Sequence, residues 1–188
     1  MNNSKTIIIT GTSSGIGFVL AEFLGKNGHK VYGLSRKFTE SKYFKSIPTD
    51  VTDNDAVQNA ITEVLKAENR IDVLINNAGM GMVGAVEDSS KEDILKLFNL
   101  NLVGAVQMMS AVLPKMRENK FGQIINVSSI GSEMGLPFRG FYSASKSALD
   151  KVTEAMRYEV YPWNIDVCSL HLGVIKTNIA ENRVKTKG

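Results

Sequence analysis

The first seventeen residues can be built in few ways. An apolar run, Thr6-Ile7-Ile8-Ile9, leads into Thr10-Gly11-Thr12-Ser13-Ser14-Gly15-Ile16-Gly17, and an amphipathic stretch follows. β-Branched residues favour a strand, and so continuous an aliphatic run suits one buried on both faces. Over 15–27, Val19, Leu20, Phe23 and Leu24 recur as one helix face, and Asn27-Gly28 supplies a stop. A strand, a glycine-rich turn and a helix therefore follow in direct succession. A helix N-terminus offers unpaired N–H groups and partial positive charge, which favour an anion. Glycines at 11, 15 and 17 let backbone approach a ligand or a neighbouring strand with no Cβ in the way. Tight strand-to-helix turns need glycine whether or not they bind anything, so the turn alone does not decide.

The rest of the chain repeats the alternation. Residues 31–34 read as a second strand ending in Ser35-Arg36-Lys37, and 46–49 as a weaker third leading to Asp50-Val51-Thr52-Asp53. Thr52 or Asp53 can cap a helix over 54–68. A fourth strand over 71–75 ends in Asn76-Asn77-Ala78-Gly79 and a flexible apolar loop, 80–84. A long helix over 91–118 presents Leu95, Phe98, Leu102, Ala105, Met109 and Leu113 as its core face, with Asn101 inside that face. A strand over 123–127 runs into Ser128-Ser129, a helix covers 141–161, a sixth strand covers 165–170, and 171–188 is a polar tail. Such alternation predicts right-handed crossovers and a Rossmann-like, doubly wound parallel sheet in three α/β/α layers, as one domain over 1–188. Ligands bind such sheets outside the carboxyl ends of the strands. The polar clusters at 10–17, 35–37, 50–51, 76–79, 128–129 and 171–177 all fall at those ends.

Composition excludes several classes. The formal charge of +3 arises from scattered charges of both signs, which does not suggest nucleic acid as a partner. The single cysteine, Cys168, rules out an intramolecular disulfide framework and a cysteine metal cluster, and its strand position predicts a core side chain. We expect no metal. No apolar run approaches the ~20 residues of a membrane span, and no signal pattern opens the chain, so a cytoplasmic protein off the membrane is expected.

Tyr142 and Lys146 lie four apart near a helix start, hence on one face. A phenol with a pKa of about 10 exchanges protons poorly at neutral pH, but an ammonium within about 4–6 Å lowers that value. The pair suits proton exchange with an alcohol or carbonyl oxygen. A hydroxyl at the end of the fifth strand, from Ser129 or equally Ser128, can hydrogen-bond a developing alkoxide. A buried Asn101 needs partners for its amide. His171 is expected to be structural, and His29 solvated.

Thr10-Gly11-x-x-x-Gly15-Ile16-Gly17, Asn76-Asn77-Ala78-Gly79, Asn101, Ser129 and Tyr142-x-x-x-Lys146, in this order and spacing, resemble the short-chain dehydrogenase/reductase family over residues 5–179. The general pattern and Gly135-Leu136-Pro137-Phe138 look most like its hydroxysteroid and retinol dehydrogenase branch. The resemblance implies hydride transfer between NAD(P) and a carbonyl or alcohol. By it, Tyr142 is the general acid/base and Ser129, rather than Ser128, polarises the substrate oxygen. Lys146 binds the nicotinamide ribose, and Asn101 holds a relay water. Gly11, Ile16 and Gly17 fall at the pyrophosphate, with Ser13 or Ser14 helping to hold NADP(H), Asp50-Val51 at the adenine, and Asn77-Ala78-Gly79 beside the ribose. Ile175 and Thr177 fall at the carboxamide, although the proline usual before Gly173 is replaced by Leu172.

The second strand ends in Ser35-Arg36 where NAD-preferring enzymes place an acid. A guanidinium grips a 2′-phosphate through charge-assisted bonds, so NADP(H) is favoured, with NAD(H) left open. Met80, Met82, Val83, Met134, Leu136, Pro137 and Phe138 are expected to form an apolar wall for a hydrophobic carbonyl or alcohol substrate. Relatives continue into a further helix and seventh strand, so the chain is expected to be truncated, with 178–188 beginning a mobile lid. A homodimer or homotetramer is expected by resemblance. The rival reading is a non-catalytic NAD(P)-binding sensor.

Overall fold

The computed structural model describes residues 4–173, 175 and 183–186. Its strands are β1 (Thr6–Thr10), β2 (Lys30–Ser35), β3 (Lys45–Pro48), β4 (Val73–Asn76), β5 (Met82–Val83), β6 (Gly122–Ser129), β7 (Ile165–Leu172) and β8 (Val184–Lys185). The helices are α1 (Gly15–Lys26), α2 (Asn54–Glu68), α3 (Lys91–Phe98), α4 (Gly104–Asn119) and α5 (Gly140–Val160), with a π-helical turn at Asn99–Val103. The main sheet has six strands in the order β3-β2-β1-β4-β6-β7, and every pairing in it is parallel. The chain runs outward from β1 to β3, then returns to lay β4 on the other side of β1. That reversal opens a crevice beyond the ends of β1 and β4, where open sheets of this kind take ligands.

On one face, α2 (Val57, Ala60, Val64), α4 (Met108, Met109, Met116) and α5 (Val160) cover Ile8, Leu34, Leu74, Ile124 and Val167. On the other, α1 packs Ala21, Leu20 and Leu24 over Ile7, Ile9, Val73 and Ile75, with Phe44 beside them. Full burial of a Val, Leu, Ile, Met or Phe side chain here contributes roughly 1.5–3 kcal/mol. Asp53 caps α2 by accepting from Asp55 N and Ala56 N. A buried polar cluster ties helices to sheet just below the carboxyl edge. Asn76 Nδ2 donates to Asn126 Oδ1 (2.9 Å) and to the Ala105 carbonyl (3.2 Å), while Asn126 Nδ2 donates to Thr153 Oγ1 (2.8 Å).

The helix expected over 91–118 is interrupted, because the π turn inserts an extra residue and shifts the phase of the apolar stripe. Leu95 is therefore exposed and Leu97 is buried in its place. By length and hydropathy the run Lys91–Asn119 does reach what a membrane span needs, but half of its most apolar window is buried inside the fold. Val19 and Phe23 are exposed rather than core. They line an open apolar trough of about 1070 Å³ with Ile7, Val73, Ile125 and Leu172. Cys168 is exposed too: alternation along β7 sends Ile165 and Val167 under α5 and Cys168 to the opposite side. The loop expected to be flexible over 80–84 contains β5, which pairs in parallel with β8 from the supposed lid segment, and Thr186 N donates to Val83 O (3.1 Å).

Candidate active site

The glycine turn is built as a cradle. Gly11 and Gly15 have φ of +74° and +60°, where a side chain would be strained. A Cβ on Gly17 would stand 2.4 Å from Gly11 O and 2.5 Å from Asn77 Nδ2. The turn is tied to the loop after β4: Thr10 Oγ1 accepts from Asn77 N (3.0 Å) and Ala78 N (2.9 Å), and Asn77 Nδ2 donates to Thr10 O (2.9 Å). Ser13 and Ser14 are exposed, Ser14 makes no side-chain cap, and the first turn of α1 carries no acid. The N-terminal N–H groups of α1 thus face an open, uncapped turn with no competing carboxylate. These features fit a pyrophosphate.

At the far end, Ser35 is buried at the tip of β2 and donates to Lys37 O (2.7 Å), while Arg36 and Lys37 are exposed beyond it. Asp50 is occupied in its own turn, accepting from Thr52 N (2.9 Å) and Thr52 Oγ1 (2.8 Å). Val51 is buried against Gly104, where a Cβ would come within 2.8 Å of Val51 Cγ2. β2 ends in Ser35 followed by Arg36 and Lys37, with no carboxylate among them.

The opposite end of the edge carries the candidate chemistry. Ser129 ends β6, and its Oγ accepts from Gly131 N (3.1 Å), which leaves its O–H to donate outward. Ser128 is buried and donates to Asp150 Oδ2 (2.9 Å). The structure thereby separates two serines that local sequence could not, because successive strand residues point to opposite faces. Tyr142 is half-buried in the first turn of α5, and Lys146 is buried one turn later. The Lys146 Nζ donates to Val127 O (2.7 Å). Burial pushes its ammonium down to about 8, against the opposing pull of the Asp150 carboxylate.

Asn101 is buried in the π turn and its amide is well used. Nδ2 donates to Met80 O (3.0 Å) and Ser145 Oγ (3.1 Å), and Oδ1 accepts from Met80 N (2.8 Å). The side chain pins the loop after β4 to α5, leaving one lone pair on Oδ1 for anything else, including the expected water. A Cβ on Gly79 would lie 3.2 Å from Asn101 Oδ1 and 3.6 Å from Lys146 Nζ, so these three expected residues do meet. Ile175 is exposed and lines the same apolar trough as Gly15 and Ile16; Thr177 lies outside the described residues.

Of the expected wall, Met134, Pro137 and Phe138 are exposed and Met80, Val83 and Leu136 half-buried, while Met82 is core and drops out. Phe138 is held at φ +59°, its carbonyl accepting from Gly84 N (2.9 Å). His29, expected in solvent, is half-buried and accepts from Lys5 N (3.2 Å). His171 lies 2.9 Å from Glu133 through Nδ1 and 3.5 Å from Asp150 through Nε2. Asp150 was missed from the sequence, although it stands four residues after Lys146 on the same face of the helix.

The family described as short chain dehydrogenase matches residues 5–188. A curated relative from Bacteroides thetaiotaomicron, named 3-ketodihydrosphingosine reductase, is 46% identical over 180 residues, covering 95% of this chain and 67% of its own. The structure of ElxO with NADP bound superposes with a TM-score of 0.89 at 30% identity, over 95% of this chain and 77% of the other. A 3-ketoacyl-(acyl-carrier-protein) reductase from Brucella melitensis, complexed with NADH, gives 0.91 at 26% identity, over 97% and 81%. The chain spans about two thirds of the length of the curated relatives it matches.

Proposed function

The chain belongs to the short-chain dehydrogenase family, and on that premise we propose that it reduces the carbonyl of a long-chain, largely apolar ketone with NADPH in preference to NADH. One observation carries this: Ser129, Tyr142 and Lys146 gather at the same sheet edge as an open, acid-free helix N-terminus. When bound, the reduced nicotinamide supplies the hydride. Tyr142 donates the proton to the carbonyl oxygen as that oxygen gains charge, and the Ser129 hydroxyl hydrogen-bonds the same atom. The Lys146 ammonium, held by Val127 O, keeps donors free for the ribose hydroxyls and favours the phenolate left on Tyr142 after each transfer. Arg36, beyond an acid-free β2, would hold the 2′-phosphate with help from Ser13 or Ser14, and the glycine turn would hold the pyrophosphate.

The substrate class rests on the exposed apolar wall of Met134, Pro137 and Phe138 and on the printed name of the Bacteroides relative. The active species is a homodimer or homotetramer. The test is turnover of short and long alkyl ketones with each dinucleotide, using wild type and Arg36→Ala. The proposal expects long chains and NADPH to be preferred, and Arg36→Ala to weaken NADPH binding about tenfold, the equivalent of about 1.4 kcal/mol. NADH affinity should stay unchanged. Equal use of both dinucleotides with no effect of Arg36→Ala would overturn the NADPH assignment, and indifference to chain length would overturn the substrate class.

A further inference from the structure

Three side-chain bonds fasten α5 to β6, and they use three consecutive strand residues. Asn126 Nδ2 donates to Thr153 Oγ1 (2.8 Å), Lys146 Nζ donates to Val127 O (2.7 Å), and Ser128 Oγ donates to Asp150 Oδ2 (2.9 Å). The next strand residue is Ser129, and the helix residue one turn before Lys146 is Tyr142. Tyr142, Lys146, Asp150 and Thr153 share a helix face by their spacing, so these bonds fix how far α5 can slide along the strand. Asp150 is the acidic member of the set. Its Oδ1 is buried with no hydrogen-bond partner, so the carboxylate has taken on more burial than its bonds repay.

Its charged neighbours are few among the described residues. Lys146 lies on one side and carries a favourable Coulomb interaction with it. On the other side, His171 of β7, whose partner in strand register is Ser128, reaches Oδ2 at 3.5 Å and is itself held by Glu133. Lys151 follows Asp150 on the exposed side, where it pairs with Glu154 and senses both Glu133 and Asp150.

We propose that Asp150 is a positioning residue for the carbonyl reduction inferred above. Through Ser128 it sets the height of α5 so that Tyr142 and Ser129 can reach one oxygen, and its carboxylate is the counter-charge to the Lys146 ammonium one turn before it on the same helix face. The turnover arm rests on the proposed reduction; the lysine arm below does not.

Two variants separate the two roles. Asp150→Asn keeps an acceptor for Ser128 and removes the charge, whereas Ser128→Ala removes the bond and leaves the charge. In protein labelled with ¹³C at lysine Cε, the Lys146 resonance, identified by its absence from Lys146→Met, should titrate about one pH unit lower in Asp150→Asn than in wild type. Asp150→Glu should restore it. With ketone and NADPH, the pH above which turnover falls should move down by the same amount in Asp150→Asn. Ser128→Ala should leave that pH in place and lower kcat about tenfold through misplacement of the helix. An Asp150→Asn protein whose Lys146 titrates as in wild type would overturn the charge role. A Ser128→Ala protein with wild-type kcat would overturn the positioning role. If wild type reduced no ketone, the proposed reduction would fall, while the lysine titration would still decide for or against Asp150.

Discussion

Replacing Gly17 with alanine should damage the dinucleotide site and the fold together. A Cβ there would stand 2.4 Å from Gly11 O and 2.5 Å from Asn77 Nδ2, both closer than real Cβ contacts, and 3.0 Å from Gly11 C. Neither neighbour can yield freely. Gly11 N donates to Leu34 O (2.7 Å), and Asn77 Nδ2 is bonded to Thr10 O (2.9 Å) and Gly11 O (3.3 Å). Either α1 lifts off the sheet or the turn opens and loses those bonds. Overpacking of this kind costs about 1–3 kcal/mol. In a chain of this size each kcal/mol lowers Tm by about 2–4 °C, so a fall of about 2–12 °C is expected. Because the displaced atoms belong to the cradle itself, NADPH affinity should fall at least tenfold, about 1.4 kcal/mol. Thermal unfolding and dinucleotide titration measure both. Gly135→Ala is the control, since a Cβ there meets nothing within 4 Å and φ is not positive. A Gly17→Ala protein as stable as Gly135→Ala, with wild-type affinity, would refute the steric reasoning.

Lys146→Met should abolish turnover yet stabilise the fold at neutral pH. The folded Lys146 is lowered from 10.5 to about 8, chiefly by burial, so between those values the unfolded chain binds a proton that the folded one releases. Wild-type stability therefore rises with pH across that window, and the penalty of burying the charge is fully present below it. At about 1.4 kcal/mol per pH unit the penalty is on the order of 3 kcal/mol, offset in part by the lost bond to Val127 O. Urea unfolding at pH 7 should show the variant ahead by about 1–2 kcal/mol, with the advantage shrinking above pH 8. Asn126→Ala should cost about 2–3 kcal/mol in the same assay, because it leaves a cavity at a fully buried site and strips partners from Asn76 and Thr153.

The parallel sheet was legible because each strand is a short aliphatic run, and the site because its polar residues fall where those runs stop. What periodicity could not supply was partners. It marked Val19, Phe23 and Leu95 as apolar-face residues, but whether a face is covered depends on tertiary packing. The π turn at Asn99–Val103 stayed hidden because one extra residue leaves the helical pattern intact on either side and changes only its phase. β5 and β8 are two residues each, too short to show alternation. Serines 128 and 129 were equivalent as neighbours in sequence and became distinct once α5 placed Asp150 against one of them. Asn76 read as a strand-end polar residue and Asn126 fell inside the strand expected over 123–127, while the two form a buried pair that only strand register brings together.

The central claim is that Tyr142 delivers the proton at an edge built by β1, β4, β6 and α5. Tyr142→Phe keeps the ring and removes the O–H proposed to protonate the carbonyl. Single-turnover reduction of a long-chain ketone by this variant with saturating NADPH tests the claim most directly. The expected result is a rate at least about a hundredfold below wild type, as loss of a general acid implies, with NADPH affinity within about twofold. Turnover at the wild-type rate, with dinucleotide binding intact, would contradict it.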